Sequence, residues 1–349
     1  LRKIANELPE NGWNLEALVT TRSYFQMNFG QRFRLEFFST VEGSGAINVA
    51  SDLFDLLGKG YSVGETVDCD IHGYGDIFAS VGASFATRYR GFGIKVTPAY
   101  VIPIAYVADA KANVTFKNTE SGVIKAEARV PVDIYTVVDA ESAQDGGVGA
   151  TSATEALLCG GFDLALAVEY PLLRTLDVGA FTRVPLVPGR LNYKMTANMY
   201  AYYQQTNLLG YLDNSDESAS GSGVDDIVYS EETYYAHRPF RIGVEAAWRP
   251  FGRWMVFRPE LALAMRNPYS SALQVYMEYS LSAEFSLFNI FAIQAATAYQ
   301  NRVFVQSLGI MLNTRLVEID IGIALRGADF TNSFRYTGFG ASAGLKVGL

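Results

Sequence analysis

The chain is poor in cysteine and histidine, with two of each in 349 residues. Cys69 and Cys159 are too few for a disulfide framework and stand in no metal-ligand spacing; with only His72 and His237 beside them, no metal and no cofactor is expected. A basic cluster is lacking too. The formal net charge is −8 and Lys and Arg are spread singly, which argues against nucleic acid as a partner. No run of about eighteen apolar residues exists, so a transmembrane helix is excluded. Helical periodicity is scarce, its best instance being VASDLFDLLGKG at 49–60. No signal peptide is read at Leu1, as expected of an exported protein that has lost one.

What the chain does have is 22 Phe, 21 Tyr, 32 Gly and a persistent period of two. In LQVYMEYSLSAEFSL, residues 273–287, Val275, Met277, Tyr279, Leu281, Ala283, Phe285 and Leu287 share one parity. Gln274, Tyr276, Glu278, Ser280, Ser282, Glu284 and Ser286 share the other. Successive side chains of a strand point to opposite faces, so one face is apolar and the other polar. The same alternation recurs in GDIFASVGASFATRY, VIKAEARVPVDIY, FRIGVEAAW and RLVEIDIGIALRG. The terminal GFGASAGLKVGL keeps it to Leu349.

Many of these segments run to about eleven residues or more, near the nine to eleven that a membrane-crossing strand needs and beyond the usual soluble strand. Aromatics gather at their ends (Tyr89 and Phe92, Trp248, Phe251 and Trp254, Phe288 and Phe291, Tyr299), as in interfacial girdles. In the second half the connectors RPFGR, SLFN and NTR are tight, whereas 139–160, 203–233 and 326–337 are long and polar. The expectation is a single all-β domain over 1–349: a transmembrane antiparallel β-barrel of the bacterial outer membrane, surrounded by its lipid, with about fourteen strands. These lie near 13–29, 32–48, 74–89, 92–116, 122–137, 161–172, 176–201, 234–249, 253–266, 273–286, 289–299, 302–313, 315–326 and 337–349. An even count returns both chain ends to one side. A large soluble β-sandwich alternates in the same way, but its polar faces carry Lys, Glu and Thr rather than Gly, Ala and Ser with charges of both signs.

Parity aims a set of charges at the lumen: Arg241, Glu245 and Arg249, then Arg258, Glu260 and Arg266, then Glu278 and Glu284, and finally Glu318, Asp320 and Arg326. A lumen of about fourteen strands is too wide for wall side chains alone to fill. The segment 43–75 offers a filler, its apolar Leu53, Phe54, Leu56 and Leu57 forming a plug or hatch, or alternatively a periplasmic cap.

With its strand count, the stretch GSGAINVASDLFDLL and prolines inside early strands, the chain resembles the FadL-like outer-membrane transporters of long-chain fatty acids and other hydrophobic compounds. No NPA-type hatch sequence is present. The resemblance implies a hydrophobic small-molecule substrate that enters a luminal site and leaves sideways through a kinked strand. VTPAYVIPIAYVADA supplies such a kink with Pro98 and Pro103, and RVPLVPGR places Pro185 and Pro188 in another strand. Proline cannot donate to the ladder, so two in one strand imply broken pairing or a bulge.

Three alternatives stand beside this reading. A general diffusion porin would use the inward charges as a constriction, although such charges also neutralise one another across neighbouring strands. A scaffold or adhesin would act through the acidic loop at 213–232. An outer-membrane hydrolase would need His237 beside a nucleophile, and one His among Arg and Tyr is no motif, so no enzyme is expected.

Overall fold

The computed structural model describes residues 13–30, 32–49, 66–118, 124–139, 150–205, 218–224, 227–266, 274–287, 290–300, 303–314, 317–327, 330–334 and 338–347. They form one antiparallel sheet of seventeen strands. The first half holds β1 (Trp13–Phe29), β2 (Phe33–Val49), β3 (Thr66–Tyr89), β4 (Phe92–Asn118), β5 (Ile124–Thr136), β6 (Gly161–Leu173), β7 (Leu176–Val187) and β8 (Gly189–Gln205). The second holds β9 (Ser218–Val224), β10 (Val228–Ala236), β11 (Phe240–Trp248), β12 (Met255–Arg266), β13 (Gln274–Leu287), β14 (Phe291–Gln300), β15 (Val303–Asn313), β16 (Val317–Gly327) and β17 (Gly338–Val347). One α-helix, α1 (Ala150–Leu158), lies between β5 and β6.

Three consecutive wall positions are each built from two collinear strands. The lower part of β4 pairs with β6 up to Val101, and its upper part pairs with β5 from Ala105. Beyond them β6 pairs with β7 and β7 with β11, while β5 pairs with β8 and β8 with β10. So β5 stands over β6, β8 over β7 and β10 over β11. With β9 attached only to the top of β8, the ladder has thirteen positions from β1 to β17.

This differs from about fourteen unbroken strands, and local chemistry explains each difference. The segment 176–201 divides at Pro188, between β7 and β8. The segment 234–249 divides at His237–Pro239, between β10 and β11. β9 lies in a Ser- and Gly-rich stretch whose composition signals loop. Among the described residues the number of positions is odd rather than the expected even count, so β1 and β17 run in the same direction and their outer ends lie on opposite sides. Pairing of β17 onto β1 is not among the pairings of the described residues, whereas β1–β2 and β16–β17 are continuous.

Of the segment 43–75, residues 43–49 belong to β2 and 66–75 to β3, paired as Gly43↔Ile77 and Val49↔Ile71. Residues 50–65, with the plug candidates Leu53, Phe54, Leu56 and Leu57, lie outside the described residues. The helix α1 falls instead in a stretch expected to be polar loop.

The two prolines of β4 leave the strand whole. It pairs with β3 on both sides of Pro98 and through Pro103, with a bulge between Ile77 and Phe78. On its other edge Pro103 falls where β6 has ended and β5 has not begun, so its missing N–H forfeits no ladder bond there. The expected break is thus a change of partner.

The tight connectors share one end of the sheet. Between β3 and β4 the two loop residues Arg90 and Gly91 have φ of 50° and 90°. Positive φ at both suits a type I′ hairpin, whose twist matches that of the strands. Phe29, Phe33, Tyr89, Phe92, Trp248, Phe251 and Trp254 are exposed around this end, and Phe92 packs on Tyr170 with centroids 4.8 Å apart. A second aromatic group marks the long-loop end, where Tyr299 lies 4.7 Å from Phe304 and Phe304 meets Phe330 edge-on. Between them the apolar parity is exposed: Val275, Met277 and Leu281, Leu308 and Ile310, Ile319, Ile321 and Ile323. The other parity is largely covered, with Glu278 and Ala262 buried.

Candidate functional site

Register fixes which residues share the covered face. Glu42 stands opposite Phe78, Asp76 opposite Tyr106, Asp163 opposite Pro185, Arg183 opposite Arg241, and Glu278 opposite Ala262. These residues come from strands far apart in the ladder, yet their side chains meet. Arg238, in the break between β10 and β11, donates to Glu42 of β2 at 2.5 Å and to Asp163 of β6 at 3.4 Å. Arg266 of β12 donates to Asp76 of β3 at 2.5 Å and lies 3.9 Å from the centre of the Tyr74 ring. Contact between walls so distant requires the sheet to curl with its polar face inside. The apolar parity is therefore the convex surface.

This inner face carries a bridge between two cavities. Toward the long loops is a cavity of about 200 Å³, walled by Ser44, Asp76, Arg266, Tyr276 and Glu278. Toward the tight turns is one of about 280 Å³, walled by Phe38, Lys95, Thr97, Ala165, Phe181 and Arg22. Glu42, Arg183, Arg238 and Arg241 border both. Arg238 is 8 % exposed and Asp163 5 %, so the bridge is desolvated and each charge is held by the other. Ser44 steadies Asp76 with a hydrogen bond of 2.6 Å, and Arg183 donates to the Pro239 carbonyl at 3.3 Å, holding the break beside Arg238 in place.

The residues expected to point inward lie around this centre in pairs. Arg241 meets Glu278 at 2.7 Å and Glu260 at 3.2 Å. Arg258 meets Glu284 at 2.7 Å, and Arg249 meets Asp177 at 2.6 Å near the tight turns. Asn313 donates to Glu318 at 3.4 Å. Glu245 faces Glu260 in the register, Asp320 faces Met311, and Arg326 faces Val305. Of the expected residues, Arg241, Glu260, Arg266 and Glu278 join the central group. The sequence reading missed Glu42, Asp163, Arg183 and Arg238, though parity places the first three inward once their strands are drawn.

Above the bridge Tyr234 stacks on Tyr106 and Tyr135, with centroids 5.0 and 4.5 Å apart. Lys194 ties Asp133 and Glu232 together beside them at 3.2 and 3.3 Å. Where β4 changes partner, the segment before β6 fills the seam. Arg190 donates its backbone N–H to the Cys159 carbonyl at 2.7 Å, and Tyr100 donates to the Leu157 carbonyl and accepts from the Gly160 N–H. A Cβ on Gly161 would overlap the Val187 carbonyl and one on Gly189 would overlap Pro103, so only glycine permits this approach. The Cys159 thiol is free, buried and 3.2 Å from the Asn192 amide nitrogen. His237 stands in the same break as Arg238.

No known protein family and no curated protein matches the chain. Among solved structures it is similar to the P. putida toluene transporter TodX, at 10% identity over 93% of this chain and 85% of that one, with a TM-score of 0.36. The RagAB peptide transporter follows at 10% identity, 89% of this chain, 40% of that one and a TM-score of 0.30. The ferric yersiniabactin uptake receptor FyuA from Yersinia pestis has 10% identity, 89% and 52% coverage and a TM-score of 0.23. The chain thus spans about half the length of the last two or less.

Proposed function

We propose that the chain is an outer-membrane transport barrel that takes up hydrophobic small molecules through its lumen, in the manner of the FadL-like transporters that its strand pattern and early-strand prolines resemble. The observation that carries this reading is the pair of cavities divided by the Arg238–Glu42–Asp163 bridge. A general porin needs a continuous water column, and in this reading the bridge stands in its path. A gated conduit for discrete molecules needs compartments and a barrier that can part.

In this reading the exposed apolar parity and the two aromatic groups face lipid and its interfaces, because a charged inner face and an apolar outer one suit a wall between water and hydrocarbon. Arg258 and Glu284 line the inner wall as a pair, and Glu318, Asp320 and Arg326 share its parity. The partner change at Pro103, with Pro98 five residues earlier in the same strand, is the lateral exit, closed in the resting state by Cys159–Gly161. Long-chain fatty acids are the substrates the resemblance suggests.

Planar-bilayer recording tests this directly. The intact chain should be nearly silent, and Arg238→Ala should raise its conductance several-fold by removing the bridge. A large, steady conductance in the unaltered chain would favour a porin and defeat the proposal. Vesicles loaded with the chain should also take up a fluorescent fatty acid faster than empty ones.

A further inference from the structure

The cavity on the tight-turn side of the bridge has an apolar lining and two cations, Arg183 and Lys95, without an ion-pair partner among the described residues. Five cations border it: Arg22, Lys95, Arg183, Arg238 and Arg241. Arg22 is paired with Glu36, Arg238 with Glu42 and Asp163, and Arg241 with Glu260 and Glu278. The two carboxylates in the lining, Glu42 and Asp163, are thus both engaged by Arg238. Arg183 and Lys95 have no carboxylate within ion-pair distance among the described residues, and the Arg183 guanidinium bonds to the Pro239 carbonyl through Nε and Nη2. A carbonyl offers a dipole where a guanidinium prefers an anion.

The rest of the wall is suited to a small apolar body. Phe38 and Phe181 line it, each with a cation over its ring, Arg22 at 5.1 Å and Arg241 at 5.9 Å. Ala99, Ala165 and Ala167 supply flat apolar surface, and Thr40, Ser80, Ser84 and Thr97 supply hydroxyls. The volume of about 280 Å³ falls just under the roughly 300–1,000 Å³ of drug-sized pockets, enough for one substituted ring and too small to enclose a long chain.

We propose that this cavity binds a compact organic monoanion, a carboxylate or sulfonate on a ring-sized apolar body, with Arg183 and Lys95 on the charge and Phe38 and Phe181 on the body. This rests on the transport reading and narrows its substrate class. An arriving anion completes the ion pairs that Arg183 and Lys95 lack, and competes with Glu42 and Asp163 for Arg238. Binding and loosening of the bridge are thereby linked.

Equilibrium dialysis of the full chain in detergent with 4-tert-butylbenzoate and its uncharged isostere 4-tert-butylbenzamide decides the matter. The acid should bind at least tenfold tighter than the amide. Arg183→Gln should erase that preference while amide binding stays within twofold, and Arg183→Lys should restore part of it. Should Arg183→Gln fail to fold, Lys95→Gln, on the rim of the same cavity, should cut the preference several-fold. Equal binding of acid and amide, absence of binding by either, or a preference untouched by both variants would overturn the proposal. The vesicle uptake of a neutral hydrophobic probe is read separately: if it persists while the acid gains nothing, transport stands and only the anion site falls.

Discussion

Arg238 holds together walls that the chain separates by about two hundred residues, and it does so almost out of contact with water. Removing one member of a buried ion pair strands the other, at a cost of about 3–5 kcal/mol. Arg258 pairs with Glu284 on the same face but remains 45% exposed, and such pairs contribute roughly 0–1 kcal/mol. Arg238→Ala should therefore lower the urea midpoint of the refolded chain far more than Arg258→Ala, and equal shifts would show that the bridge bears no special weight. Neither role could be read from neighbours in sequence. Arg238 sits in AHRPF, where a proline and a histidine suggest a strand start, and its acids lie far off at 42 and 163. Periodicity reports which way a side chain points but not what it meets across a cavity.

The elements themselves were far more legible, because alternation is a local property. β13 is the plainest case, with Val275, Met277 and Leu281 exposed on the convex side and Glu278 buried on the other. Charge placed on a lipid-facing residue near mid-membrane costs about 2–4 kcal/mol, whereas a luminal residue tolerates it. Leu281→Arg should thus impair refolding into lipid vesicles by that amount while Ser282→Arg, one residue along, changes it by less than about 1 kcal/mol. Similar losses at both positions would refute the assignment of faces. Three elements escaped the pattern for identifiable reasons. The breaks at Pro188 and at His237–Pro239 span only one and three residues and continue a strand in nearly the same direction, so no loop-like stretch marks them, although the inward parity shifts from Tyr234 to Arg241 across the second. β9 has Ser and Gly where strand propensity predicts β-branched residues, and only its pairing with β8 makes it a strand.

At the largest scale, the thirteen antiparallel positions of the described residues leave β1 and β17 pointing the same way. If these two edges meet, they meet as parallel neighbours, whose slanted bonds are slightly weaker than those of an antiparallel pair. Native-state hydrogen exchange should then release the amides of β1 and β17 before those of β12 to β15, which have antiparallel partners on both sides. Uniform protection around the sheet would contradict this. The curl of the sheet was expected from composition and alternation, but its edge geometry depends on an exact count, and a count fails wherever one break is missed.

The breaks at 137–160, at Pro188 and at His237–Pro239 occupy adjacent positions at one height. Together they draw a horizontal crease across part of the wall. The panel above it, β5, β8, β9 and β10, is linked to β7 and β11 below only through Pro188 and His237–Pro239, so a tilt of that panel would turn on these residues, with the unbroken β4 as its hinge edge. Arg238 sits in the crease itself. A molecule pressing on the long loops thus has a lever whose fulcrum carries the latch.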